Sequence, residues 1–372
     1  MRDGATQILT VNVGSSSIRF AGYETRGAEI TCLRRLRVDG ATQRSLRGIL
    51  DELQLTDPRV VAHRVVHGGA TLIASCEVDA RVETEILRLG ALAPLHNSRA
   101  AAWIATCRHE LPRAMQVAVF DTAFFAQLPE PAARYALPGA LCRRLGIRRY
   151  GFHGIAHRAL WNAWQGASAR GGTGKLVTLQ LGAGCSVAAI KDGRPLDTSM
   201  GMTPLEGLVM ATRCGDLDAG LVSYLLREDK LAGGELEELL NERSGLKGIS
   251  GVSGDGGALL RSDEPDASLA LEIYCHRARK YVGAYLSVLD GAHALAFGGG
   301  VGEHEPEIRR RISEGAAFCG LRLDEAANAR GIRDGRPTLV SAPDSAIEVW
   351  VLPVDEEAQL AEEAWTLTKG RA

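Results

Sequence analysis

The sequence lacks the features that mark several specialised protein classes. Aromatic residues make up only 5% of it, too few for platforms on which nucleic-acid bases stack. The formal net charge is -2, so the basic excess of a nucleic-acid-binding surface is missing as well. No apolar run approaches the ~18 residues that a membrane-spanning helix needs. Residues Met1 to Thr6 are polar, without the basic-then-apolar layout of a secretory signal. The cysteines (Cys32, Cys76, Cys107, Cys142, Cys185, Cys214, Cys275 and Cys319) form no CxxC pair and no zinc-type spacing. Scattered thiols of this kind indicate a reducing compartment, and the expected location is cytoplasmic. GxxxxGK[ST] is absent, and no GxGxxG is followed by its downstream acid, which excludes P-loop and Rossmann nucleotide sites.

What is present is ordinary globular material, 45% hydrophobic and 24% charged, in a chain of 372 residues, long enough for two domains. Ile8 to Val13 is an apolar run, Gly14-Ser15-Ser16-Ser17 a small-residue turn, and Ile18 to Tyr23 alternates at period two, which predicts a hairpin. Val60-Val61-Ala62 reads as a strand ahead of His63, Thr84 to Leu92 as a helix, and Val117 to Phe120 as a buried strand ending at Asp121. The second half restates the first. Thr178 to Ser186 echoes Thr10 to Ser17, and Asp192-Gly193 is a hairpin turn signal, which points to a duplicated domain with one phosphate-facing hairpin in each half. A helix from about Leu269 to Leu289 leads to a strand, Ala292 to Phe297, and a third glycine turn, Gly298 to Gly302. Glu303 onward reads as a helix with Arg309, Arg310 and Arg311 on exposed turns. Glu348 to Val354 reads as a strand and Glu356 to Thr368 as a helix.

Several segments carry chemistry. Glycine turns that follow strands let backbone N–H groups approach phosphate oxygens, or simply supply positive φ. Arg64, in His63-Arg64-Val65-Val66-His67-Gly68-Gly69, is a cation among apolar residues; it either forms a structural ion pair or receives a substrate carboxylate. Leu95-His96-Asn97 follows a proline and is expected to close a helical segment. A carboxylate at a strand end, as Asp121 is, is frequently functional in α/β proteins. His153 and His157 would share a helix face and could bind metal, but Gly154 between them disfavours that helix. Asp197 to Asp218 has no periodicity, and long irregular segments tend to be functional.

Taken in order, these segments resemble the acetate kinase family over nearly the whole chain. The matching stretches are Val11 to Ser17, His63 to Gly69, Leu92 to Asn97, Val119 to Phe124, Tyr150 to Gly154, Asp197 to Asp218, Gly299 to Glu303 and Pro353 to Glu357. The resemblance implies an α/β fold of duplicated ribonuclease H-like domains with an interdomain active-site cleft. The expected N-terminal domain is residues 1–125 plus 359–372, and the nucleotide-binding C-terminal domain is 126–358. It further implies a homodimer that moves a phosphoryl group from Mg-ATP to acetate or propionate, giving acyl phosphate and ADP. By this resemblance Arg64 and Arg213 would bind the carboxylate and the migrating phosphoryl group, His153 would donate to a phosphoryl oxygen, and Asp121 would be the catalytic acid residue. Asn12 and Glu356 would hold Mg²⁺. Val66, Leu95, Phe152 and Pro204 would line the acyl pocket, with His96 beside Leu95. The nucleotide would be met by Arg19, by Gln180, Leu181, Gly182, Ala183 and Gly184, by Asp255, Gly256 and Gly257, and by Gly300, Val301, Gly302, Glu303 and His304.

The inventory suits the chemistry. An acceptor carboxylate is already ionised and needs no general base; it needs positioning beside a polyanion that repels it. Asp121 is therefore expected to orient an arginine or a metal-bound water. The departures from the family pattern fall mostly on the nucleotide side. Gln180 and Ala183 replace His and Asn, Gly256 and Gly257 replace a bulky residue and an arginine, and Arg19 replaces Lys. Gly298 replaces Thr, His304 replaces Asn and Phe125 replaces His. They leave room for another donor, GTP or pyrophosphate, or for a catalytically weakened ligand-binding homologue.

Overall fold

The computed structural model describes residues 5–14, 17–39, 44–91, 93–169, 173–228, 231–332 and 334–369. Ser15 and Ser16 of the first expected turn and Leu92 of the Leu92 to Asn97 stretch lie outside the described residues. The chain divides into two compact units. The first comprises residues 1–126, 152–159 and 355–372, the second 127–151 and 160–354. The expected first boundary, at 125/126, falls one residue later, and 152–159 and 355–358 group with the first unit.

The first unit is built on a six-stranded sheet: β1 (Thr6–Val13), β2 (Ser17–Arg26), β3 (Glu29–Asp39), β4 (Val60–Val65), β5 (Cys76–Glu77) and β6 (Met115–Phe120). Their order is β3-β2-β1-β4-β6-β5, with β1, β4 and β6 parallel and the other pairs antiparallel. The second unit has β7 (Lys175–Leu181), β8 (Cys185–Lys191), β9 (Arg194–Thr198), β10 (Ala294–Gly298), β11 (Thr338–Leu339) and β12 (Glu348–Val351), in the order β11-β12-β10-β7-β8-β9. Read from the other edge, that is the same order with the same strand directions. The short sequence echo thus marks a duplication of the whole sheet. Asp192 and Gly193, at φ 49° and 77°, make the predicted hairpin turn between β8 and β9.

Parallel strands must be covered on both faces, which explains the apolar runs in β1, β4 and β6. The helix Leu46–Leu53 buries Leu46, Ile49 and Leu53 against Val11 and Phe20, and Ser45 caps it by accepting the Gly48 N–H at 3.2 Å. The helix Glu356–Lys369 packs Leu360, Ala361 and Ala364 onto Ile8, Ala62 and Val117.

Four expectations are corrected. Pro94 does not precede the close of a helix: it opens the helix Pro94–Glu110, because a proline at the first position lacks only an N–H that the first turn leaves unused. The expected Thr84 to Leu92 helix runs Ala80–Arg88, started earlier by Asp79, whose carboxylate accepts the Val82 N–H. The third glycine run is itself helical: Gly299–His304 forms a short helix, and Pro306–Glu314 follows it. Arg309 is not exposed. It is fully buried, donating to the Asn328 side chain at 2.8 Å and to the carbonyls of Gly302, Glu303 and Asn328 at 2.8, 3.1 and 2.7 Å. Burial lowers its guanidinium pKa to about 10, with Glu305 opposing. Arg309→Ala would strand four acceptors in the interior at about 1–3 kcal/mol each. We expect at least about 3 kcal/mol of destabilisation in the second unit's denaturant transition; a loss under about 1 kcal/mol would show that water satisfies those acceptors.

Candidate active site

Adjacent parallel strands deliver the first cluster. Asn12 is the penultimate residue of β1, Arg64 the penultimate residue of β4, and Asp121 follows β6 directly, so all three sit at carboxyl ends of strands. Glu356 and Glu357 open the helix Glu356–Lys369, where the helix dipole favours negative charge. The side chains form one connected chain. Arg64 Nε donates to both Asp121 oxygens at 3.2 Å and Nη2 to Asp121 Oδ2 at 2.7 Å, while Nη1 donates to Asn12 Oδ1 at 3.2 Å. Asn12 Nδ2 donates to Glu356 Oε2 at 2.9 Å and Glu357 Oε1 at 2.7 Å. Arg19 closes the chain, pairing with Glu356 and, at 3.0 Å, with Glu357.

Asn12, Asp121, Glu356 and Glu357 are all buried, so charge balance controls the protonation of the three acids. Burial raises the Asp121 carboxyl above its usual value, against the pull of Arg64. Burial also works against Glu356, but Arg64, Arg19 and the Asn12 amide overcome it and hold that group at about 2. Glu357 is raised by burial, with Arg19 opposing. Glu356 is thus the firmly anionic member of the pair. His63, next to Arg64, bonds Gln116 at 2.9 Å, and burial lowers it to about 4, so it is a neutral structural group.

A tight corner brings His153 to this cluster. Gly154 donates its N–H to the Asp121 carbonyl at 3.0 Å, and a methyl group on Gly154 would overlap that oxygen. Only glycine permits the approach. His153 takes φ +57°, uncommon for a side-chain-bearing residue and found where the surroundings enforce it. Phe152 is buried with its ring edge-on to His67 at 5.4 Å, and Val66 is buried. His67 is clamped by Asn97, which accepts its N–H at 3.1 Å and donates to its carbonyl at 2.9 Å. His96 lies in the first turn of the same helix, half-buried; for Leu95 only the backbone is described. His157 is buried against Phe125, and burial, with His153 nearby, depresses its pKa well below normal.

In the second unit, residues 199–218 are irregular, as expected, and are held by side chains. Arg149 donates to the carbonyls of Thr198, Ser199 and Met200 and pairs with Glu206 at 2.6 Å; Tyr135 also binds Glu206. Arg213 donates to the Pro204 carbonyl at 3.2 Å and approaches the Met210 sulfur at 3.8 Å. Among the described residues it has no carboxylate at ion-pair distance, and burial lowers its pKa. Gly215, at φ +68°, turns the chain where a side chain would strike the Leu208 carbonyl.

The expected nucleotide residues are also in this unit, except Arg19. Gly182 N–H bonds the Gly184 carbonyl at 3.1 Å, and exposed Ala183 ties the turn to Ala211 through its carbonyl. Gln180 Oε1 is buried and has no hydrogen-bond partner among the described residues. Asp255 caps the helix Gly256–Leu260, accepting the Ala258 N–H at 2.7 Å. The space a side chain at Gly256 or Gly257 would need is taken by Ile308 and Glu305. The Glu303 carboxylate accepts the N–H groups of Gly299 and Val354 at 3.2 and 3.1 Å, while Gly300 has open space above it and His304 is exposed.

Sequence reasoning missed Glu357, Asn97 and the Arg149–Glu206–Tyr135 clamp. The run Asp355-Glu356-Glu357 at a helix start was a readable signal for the first, since clustered acids need counter-charges. The others depend on partners far away in the chain. Among the described residues no group of three or more His, Cys, Asp or Glu side chains could hold a metal, so a cation here would rest on few protein oxygens.

The duplicated sheets, with the buried Asp121–Arg64–Asn12–Glu356 network at strand ends of the first, define an α/β enzyme of the ribonuclease H-like class. The sequence model of the Acetokinase family matches residues 44–362, and the chain belongs to that family. It is 46% identical over 322 residues to the acetate kinase of Solibacter usitatus, covering 84% of this chain and 77% of that one. The crystal structure of Porphyromonas gingivalis acetate kinase superposes with TM-score 0.84 at 33% identity, covering 98% of this chain and 100% of that one. A propionate kinase structure from Francisella tularensis subsp. tularensis gives TM-score 0.85 at 31% identity, covering 97% and 99%.

Proposed function

We propose that this protein is an acetate kinase, transferring a phosphoryl group reversibly between ATP and acetate, with propionate as a second acceptor. The buried chain from Asp121 through Arg64 and Asn12 to Glu356 carries the reading. A carboxylate oxygen attacks the γ-phosphorus; the new O–P bond forms as the bond to the β–γ bridging oxygen breaks, and that electron pair leaves with ADP. No proton moves, so no base is needed. Asp121 grips one edge of Arg64 and thereby aims the N–H groups left on its terminal nitrogens. Arg213, which has no carboxylate at ion-pair distance among the described residues, would be the second cation for the migrating group, and His153, held by the Gly154–Asp121 corner, the donor. Asn12 and Glu356 would hold a hard, oxygen-seeking cation: Glu356 is firmly anionic, and Asn12 Oδ1, which accepts from Arg64, would turn to the ion. Mg²⁺ held there would neutralise nucleotide charge. The residues that the family resemblance assigns to the acyl side are Val66, Leu95, Phe152 and Pro204, with His96 next to Leu95 in the sequence. The family relationship supports a cytoplasmic homodimer.

The nucleotide side supports a looser reading. Gly256 and Gly257 have no side chain to offer a purine, and a Cβ at either would press on Ile308 or Glu305. Discrimination between ATP and GTP is expected to stay within about tenfold, since a base edge left unread forfeits neutral hydrogen bonds worth about 0.5–1.5 kcal/mol each. One assay tests the whole proposal: trapping acyl phosphate as hydroxamate with acetate, propionate and butyrate against ATP, GTP and pyrophosphate. No acyl phosphate from any combination would refute an acyl kinase. Val66→Ala should raise the propionate-to-acetate ratio of kcat/KM by about tenfold, the worth of one methylene in an apolar pocket. An unchanged ratio would remove Val66 from the pocket.

A further inference from the structure

Arg19 holds an unusual position. Its register partner across the β1–β2 hairpin is Asn12, so the two side chains meet the start of the helix Glu356–Lys369 together. Arg19 and Asn12 converge on the same two atoms, Glu356 Oε2 and Glu357 Oε1. The carboxylate side chains are only 7% exposed, whereas Arg19 is 43% exposed. Its guanidinium therefore covers the solvent side of two buried acids. Adjacent buried carboxylates need a counter-charge, and here a side chain supplies it. Asn12 presents Nδ2 to these acids and commits Oδ1 to Arg64, so its oxygen points away from the pair.

We propose that Arg19 is a counter-ion latch: it neutralises Glu356 and Glu357 until an anionic phosphoryl group draws its guanidinium away, and only then does the carboxylate pair accept a divalent cation. The inference rests on the assignment of the metal to Asn12 and Glu356. It makes cation binding depend on the nucleotide, because one positive charge must leave before another can enter. The same displacement brings Arg19 to the phosphates. A free metal ion, which carries no anion, faces an occupied pair.

Binding of Mn²⁺ to the full chain without nucleotide, read from the electron paramagnetic resonance signal of the free ion, tests this. Arg19→Gln should tighten Mn²⁺ binding at least about tenfold, since it removes a competing charge at contact distance. Arg35→Gln is the control: Arg35 pairs with neighbouring Asp355 at 3.0 Å, and its loss should change binding less than about twofold. No tightening in Arg19→Gln, or equal tightening in both variants, overturns the latch. Adding Glu356→Gln to Arg19→Gln should abolish the gain. If the gain survives, the ion binds elsewhere, and the metal assignment falls together with the latch.

Discussion

Arg64→Ala is expected to lower kcat by about 10²–10³ and to destabilise the first unit by about 3–5 kcal/mol. Both effects have one origin. Asp121 is 1% exposed, and among the described residues its side chain bonds only Arg64. Removing the guanidinium leaves a buried carboxylate without its partner and releases the Asn12 oxygen. Arg64→Lys keeps the charge but cannot grip both Asp121 oxygens while reaching Asn12, so it should recover stability more than turnover. The measurements are steady-state kinetics beside chemical denaturation. An Arg64→Ala protein with kcat within about tenfold of wild type would remove Arg64 from the reaction.

Arg213→Ala should cost kcat by the same factor, about 10²–10³, yet leave stability unchanged or slightly raised. The contrast follows from its partners. Arg213 gives one hydrogen bond to a carbonyl, among the described residues it has no acid to abandon, and burial already disfavours its charge. A desolvated cation of this kind lowers its free energy when an anion arrives. KM for the acceptor and kcat should both suffer, while the denaturation midpoint stays in place. A midpoint that falls as far as that of Arg64→Ala would make Arg213 a structural residue.

Much of this was legible in the sequence, for physical reasons that also explain the failures. β1, β6, β7 and β10 were readable because strands covered on both faces must be apolar. Asp121 and Arg64 were readable because charges among such residues are costly without a partner. Arg309 misled because its neighbours Arg310 and Arg311 are solvent-side ion-pair formers with Glu307, while its own partner, Asn328, lies 19 residues away. Pro94 misled because a proline can end one helix or begin the next, and local sequence does not say which. Glu357 was hidden beside Glu356, since only the folded sheet shows that Asn12 and Arg19 reach both acids. The grouping of 152–159 with the first unit depends on the Gly154–Asp121 contact, which no local pattern reveals.

The first unit is assembled from three separate stretches of chain, and this sets an order of events during synthesis. Asn12 meets Glu356 across 344 residues. Every segment of the second unit leaves the ribosome before the helix Glu356–Lys369 exists. Until then β1 and β4 lack the helix that covers Ile8 and Ala62, and the Asn12 amide and Arg19 lack the two carboxylates they bind. The entropy of closing so long a loop grows only slowly with length, so the finished contact is affordable, but contacts of this separation form late. A ribosome stalled anywhere before that helix therefore holds a nascent first sheet with one apolar face uncovered, a natural target for chaperones.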